Sequence, residues 1–173
     1  QTKGAFDITI APLMNCWQFM NDTGEVPTED AIAQALEYTG SHQLRLNQSD
    51  TTVQLAREGV MLDLGSIGKG YALEQASTLL LENKFNHFLI HGGTSTICAA
   101  GTQADGTPWC IAVEHQVEDQ PPLHIIDLEN ESLSVSGIGG KSFIDEKGIE
   151  QGHVIDPRTG RPPQAREHGC SGL

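Results

Sequence analysis

Apolar residues Leu13, Cys16, Trp17 and Met20 recur at the i, i+3, i+4, i+7 spacing of one helical face. Pro12 suits the first turn of that helix, and Asn21-Asp22-Thr23-Gly24 breaks it. Thr28 reads as the N-cap of a second helix, with Glu29 and Asp30 favourably placed in its first turn. Ile32, Ala35, Leu36 and Thr39 form its apolar face, and Gly40 ends it. Alternation at 44–46 and 52–55 around Asn47-Gln48-Ser49-Asp50 predicts a hairpin. Residues 60–62 read as a third short strand and 63–70 as a glycine-rich loop. The stripe Ala72, Leu73, Ala76, Leu79, Leu80 predicts a helix over 70–81.

Beyond Asn83 the period shortens to two. Strands are predicted at 88–90, 97–99, 109–113, 123–128, 133–136 and 154–155, most of them separated by Gly, Asp or Pro turns. They follow one another rather than alternating with helices. That order predicts an α+β fold, a mostly antiparallel sheet with helices packed on it. At 173 residues, without repeat or linker, the chain reads as one domain over 1–173. It begins without Met and stops at Ser171-Gly172-Leu173 without a cap, so both ends read as cut.

Charge narrows the function. The chain carries 23 acids, ten bases and a net charge of −13. That balance argues against a nucleic-acid binder and against docking on anionic lipid. No run is long and apolar enough to insert in a membrane. Residues 85–140 contain no Lys or Arg, so an anionic ligand must find its cations at Lys69 or near the C-terminus. None of the four cysteines forms a C-x-x-C pair, which leaves zinc and thioredoxin-like chemistry unsupported. Cys98 and Cys110 flank a turn-rich stretch symmetrically and could face each other across a hairpin.

Two clusters carry candidate chemistry. In LDLGSIGKGY (62–71) a strand-like segment runs into three glycines and a lysine before a helix. Glycines admit close approach to backbone, and a helix N-terminus favours anions, so the segment suits a phosphate or pyrophosphate. A tight turn with a surface lysine would have the same spacing. Neither a P-loop nor a G-x-G-x-x-G fingerprint is present. His91-Gly92-Gly93 has no accompanying G-x-S-x-G elbow, and marks a second close backbone approach. In GHVIDPRTGRP (152–162) a turn bracketed by Asp-Pro and Thr-Gly carries two arginines and follows His153. His153 suits a general base, a proton shuttle or a metal ligand, or simply packs.

GAFDITIAPL, LDLGSIGKGYALEQ, FLIHGGTSTICAAG, DGTPWCIAV and GHVIDPRTGRP together resemble, in order, the motifs of ApbE-type FAD:protein FMN transferases. The resemblance implies an ApbE-like, T-fold-like α+β domain, incomplete at both ends. It implies a Mg²⁺-dependent enzyme that splits FAD at the pyrophosphate. FMN then moves to a Thr or Ser hydroxyl of an acceptor flavoprotein, with release of AMP. By the same resemblance Ala5, Phe6 and Asp7 line the flavin site, Asp63 and Lys69 contact FAD, and Ile155 packs on it. The carbonyl of Ser66 is a Mg²⁺ ligand and His153 is the catalytic residue. A periplasmic or membrane-anchored location is implied, through a missing N-terminal segment.

The chain departs from the family pattern in three places. Thr94 follows Gly92-Gly93 where Asp is usual, and Lys141 stands where an Arg is expected. The Asp-Ala-x-x-Thr-type motif, which supplies the family's metal carboxylate and hydroxyl, would lie beyond Leu173. An FAD-binding or FAD-hydrolysing protein without transfer, or an inactive fragment, is the alternative reading.

Overall fold

The computed structural model describes residues 2–21, 23–115, 119–136 and 142–163. The chain divides into two compact units. The first joins Gln1–Asp63 to Ile138–Leu173, and the second is Leu64–Gly137.

The first unit is built on two short helices. Helix α1, Ala11–Cys16, has proline in its first turn, as the sequence requires. It is shorter than the apolar stripe predicts. Gln18 takes a positive φ of 57°, and the chain re-enters a single 3-10 turn at Phe19–Asn21. The turn rotates the face, so Phe19 is buried while Met20 is half exposed. Helix α2, Glu29–Glu37, starts as predicted: the Thr28 hydroxyl accepts from the Ala31 N–H at 3.2 Å, and Glu29 and Asp30 fill the first turn. Leu13, Trp17, Phe19, Ile32, Ala35 and Ile155 form the core of the unit, with Leu36 and Phe143 packed against it. The predicted hairpin forms from β1 (Leu44–Asn47) and β2 (Thr52–Leu55), with Leu46 opposite Val53.

The second unit opens with α3, Gly65–Glu82. The predicted strand at 60–62 is absent, and the predicted loop 63–70 is mostly helix. The Leu64 carbonyl accepts from the N–H groups of Ile67 (3.1 Å) and Gly68 (2.7 Å), which closes the first turn. The strong helix formers of YALEQASTLLLE then propagate it. Strands β3 (Phe88–His91), β4 (Thr96–Ala100) and β7 (Ser132–Ser134) form one antiparallel sheet in the order β3-β4-β7. Strands β5 (Trp109–Val113) and β6 (His124–Leu128) form a separate antiparallel ribbon. Inward side chains alternate along both: Ile97, Ala99 and Leu128 are buried, packed with Leu89, Trp109, Ile111, Ile126 and Leu133. The Trp109 indole N–H donates to the Ala100 carbonyl at 3.1 Å.

The architecture is mixed helix and antiparallel sheet, as the strand order predicts. Among the described residues the strands fall into four groups rather than one sheet. Cys98 lies on β4, between β3 and β7, and Cys110 on β5, paired with Asp127 of β6. They do not face each other across a hairpin, and both thiols are free. The predicted strand 154–155 is replaced by a hairpin just before it in the first unit, β8 (Ser142–Ile144) and β9 (Glu150–Gly152). Lys141 and Cys170 lie outside the described residues. Among those described, no helix is long and apolar enough to cross a membrane.

Candidate functional site

The residues singled out by the sequence fall on both units: Ala5, Phe6, Asp7, Asp63, His153 and Ile155 on the first, Ser66 and Lys69 on the second. On the first unit, Ala5 and Phe6 are exposed on the segment ahead of α1. Asp7 is committed to the shape of that segment. Its Oδ1 accepts from the Thr9 N–H (2.9 Å) and the Thr9 hydroxyl (2.6 Å), and its Oδ2 from the Ser41 N–H (2.7 Å). Thr9, fully buried, accepts in turn from the Gly40 N–H at 2.6 Å. The Asp63 N–H donates to the Ile8 carbonyl at 2.8 Å, which ties the chain before α3 to the same segment.

The turn 156–161 follows His153, which is half-buried on a bend after β9 rather than on a strand. Arg158 grips Asp156 through Nε to Oδ1 at 2.8 Å and a terminal nitrogen to Oδ2 at 2.6 Å. The Arg158 side chain, helped by its backbone N–H, holds the Asp156 carboxyl below the usual carboxylate range. The Asp156 N–H donates to Arg161 O (2.9 Å), and the Gly160 N–H to Asp156 O (2.8 Å). The Trp17 indole N–H donates to Gly160 O at 2.8 Å, anchoring the turn to the core. Arg161 pairs with Glu29 at the start of α2. A Cβ built at Gly4 would lie 3.5 Å from Arg158 Cγ, so the turn and the segment carrying residues 5–7 run side by side. Ile155 is seated in the core at 7% exposure.

On the second unit, Ser66 and Lys69 occupy the start of α3. The Leu64 side chain does not cap the helix. Gly68 and Gly70 are helical, and no heavy atom of the described residues lies within 4 Å of a Cβ built at either. Each costs about 0.5–1 kcal/mol of helix stability relative to Ala, with no packing reason for it. The turn after β3 comes over this end of the helix. A Cβ at Gly92 would meet Lys69 Cβ and Leu73 at 3.5 Å, and Lys69 Nζ donates to the Ser95 hydroxyl. The arrangement offers a backbone that a ligand can approach closely, the positive end of a helix, and a held ammonium. Sequence reasoning missed Ser95, which lies 26 residues from its partner. It also missed the Thr9–Ser41 bonding of Asp7.

A family model described as the ApbE family matches residues 1–170. The FAD:protein FMN transferase of Klebsiella pneumoniae (strain 342) is 32% identical over 167 residues, covering 94% of this chain and 47% of that protein. The crystal structure of the ApbE protein of Thermotoga maritima superposes with a TM-score of 0.82 at 30% identity, over 93% of this chain and 52% of the other. The apo flavinyl transferase ApbE of Pseudomonas stutzeri gives a TM-score of 0.78 at 30% identity, over 94% and 50%. Fold and sequence agree on the class, a mixed helix and antiparallel-sheet protein like the solved flavin transferases. The chain belongs to the ApbE family. It spans about half the length of the curated relatives it matches.

Proposed function

We propose that the protein transfers FMN from FAD to a Thr or Ser hydroxyl of an acceptor flavoprotein, with Mg²⁺ dependence and AMP as the leaving group. Membership of the ApbE family and similarity to FAD:protein FMN transferases support flavin transfer in general. The observation that carries the reading on this chain is the start of α3. Two helical glycines face open space there, beside a lysine held by the Gly92–Ser95 turn. That is a seat for a pyrophosphate.

In the transfer the acceptor oxygen bonds to the phosphorus of the FMN phosphate, and the P–O bond to the AMP phosphate breaks. The hydroxyl proton passes to the His153 imidazole, and AMP leaves with the bridging oxygen. Such a displacement asks chiefly for positioning and for positive charge on the phosphates. Lys69 supplies charge to the phosphates. Ala5 and Phe6 are assigned to the flavin, with Asp7 keeping their segment in shape through Thr9 and Ser41. Asp63 is assigned an FAD contact. Ile155 is assigned an apolar contact made from the margin of the core.

Mg²⁺ takes oxygen ligands in an octahedron, usually including one or two carboxylates. Among the described residues no three His, Cys, Asp or Glu side chains converge. The described residues therefore do not fit the ion by themselves, and the Ser66 carbonyl would be at most one neutral ligand among several supplied elsewhere. The test is to incubate the full-length protein with FAD, Mg²⁺ and a protein carrying a flavinylation motif, then measure the acceptor's intact mass. The expected result is a gain of one FMN. AMP release with an unmodified acceptor would replace transfer by hydrolysis. FAD binding with neither product would leave a binding module.

A further inference from the structure

We propose that Ser95 is a positioning residue that aims the Lys69 ammonium at the phosphates of FAD. The inference rests on the pyrophosphate reading of α3 and deepens it. Its starting point is charge. Residues 64–137 hold nine acids and two bases, Lys69 and Lys84. Lys84 follows the far end of α3, fifteen residues on, a distance of roughly 22 Å along the helix at about 1.5 Å per residue. Within this unit Lys69 is therefore the lysine or arginine nearest in sequence to the start of the helix.

A lysine is a mobile point charge on a four-carbon stem, unlike the rigid fork of an arginine. Here the stem is confined by Gly92, where a Cβ would already touch Lys69 Cβ at 3.5 Å. The head is confined by the Ser95 hydroxyl, which accepts one of the three N–H donors of Nζ and leaves two for a ligand. Ser95 is itself fixed. Its carbonyl accepts from the Val135 N–H at 2.9 Å, and the Gly92 N–H closes the turn onto Thr96 O at 2.8 Å. The partner is neutral, so it orients the ammonium without cancelling its charge. A carboxylate in that place would compete with the phosphates for it.

The test uses the full-length protein and three ligands, FAD, ADP and riboflavin, the last without phosphate. Ser95→Ala is expected to weaken FAD and ADP about three- to tenfold, on the scale of one charge-assisted hydrogen bond. Riboflavin affinity should stay within twofold. Ser95→Thr, which keeps the hydroxyl, should restore phosphate-ligand binding, and Ser95→Asp should weaken it at least as far as Ala does. On a Lys69→Ala background, Ser95→Ala should cost less than a further twofold. Equal loss of riboflavin and ADP, or full additivity with Lys69→Ala, would make Ser95 a structural residue and overturn the proposal. So would unchanged FAD binding in Ser95→Ala while Lys69→Ala weakens it. If Lys69→Ala itself leaves FAD and ADP binding intact, the pyrophosphate reading fails first, and the role of Ser95 goes with it. A Ser95→Ala protein too unstable to measure leaves the Thr and Asp pair to decide: equal phosphate-ligand affinity in those two variants overturns the proposal.

Discussion

Replacing Gly160 by Ala tests how the His153-bearing segment is held. Gly160 sits at φ +70°, where an L side chain costs about 1–2 kcal/mol. Its new methyl would also lie 2.6 Å from Ile32 Cγ2 and 3.1 Å from Leu13 Cδ2, both in the core of the first unit. Neither neighbour is the free end of a flexible surface chain, so the overlap adds about 1–3 kcal/mol. The sum is about 2–5 kcal/mol, and any shift of the turn also stretches the bond from the Trp17 indole to Gly160 O. Gly148→Ala is the internal control. Gly148 has φ +78° in the same unit but no heavy atom within 4 Å of its Cβ among the described residues, so it carries the conformational cost alone. Urea unfolding at equilibrium measures both. With a slope of about 2 kcal/mol/M, Gly160→Ala should lower the midpoint by roughly 1–2.5 M, and Gly148→Ala by roughly 0.5–1 M. Midpoints that coincide would refute the overlap argument, and with it the claim that the turn is wedged between α1 and α2.

Gly68→Ala and Gly70→Ala should act in the opposite sense on stability. Each should stabilise α3 by about 0.5–1 kcal/mol in thermal melts, because the methyl meets open space, yet weaken FAD binding; a stabilised variant with unchanged FAD affinity would remove the reason given for these glycines. Asp156 titrates below its ordinary value in the folded chain because Arg158 bonds it. Its contribution is therefore present above the unfolded pKa of about 3.9 and is lost as pH falls through the folded value. Asp156→Asn should flatten the stability profile below about pH 4, read as the melting temperature against pH, and an unchanged acid limb would contradict it. Cys98 and Cys110 should both be alkylated without prior reduction once the chain is unfolded, since they lie on different sheets; recovery of a Cys98–Cys110 linked peptide would contradict the strand assignment.

Elements with local causes were legible in the sequence. Thr28, Glu29 and Asp30 start α2 through contacts within one turn, and the β1–β2 hairpin follows from alternation around a polar turn. The start of α3 was misread because three glycines outweigh helix propensity in a short window, whereas the Leu64 carbonyl closes the turn regardless. The β8–β9 hairpin was missed because its strands are three residues each, too short for a period-two signal. Its turn signal was nonetheless present: Asp145 accepts from the N–H groups of Lys147 and Ile149, ahead of Gly148 at positive φ. Lys69 was visible as a candidate from its glycines, but Ser95 was not, because a bond across 26 residues leaves no local pattern. Asp7 was marked by the family resemblance alone; that its oxygens serve Thr9 and Ser41 follows in part from a contact 34 residues away.

The first unit is interrupted by the second, and this sets an order of events during synthesis. Each strand partner of the second unit has been made once Val135 leaves the ribosome, since Val135 and Lys69 both bond Ser95. The first unit has to wait. Trp17 and its acceptor Gly160 are 143 residues apart, which at 5–20 residues per second is a delay of roughly 7–30 s. Through that interval Leu13, Trp17, Phe19 and Ile32 have no Ile155 or Phe143 to pack against. The nascent chain thus carries an apolar surface on α1 and α2 for seconds, long enough for a chaperone to bind it, and loses that surface only when the His153 segment arrives.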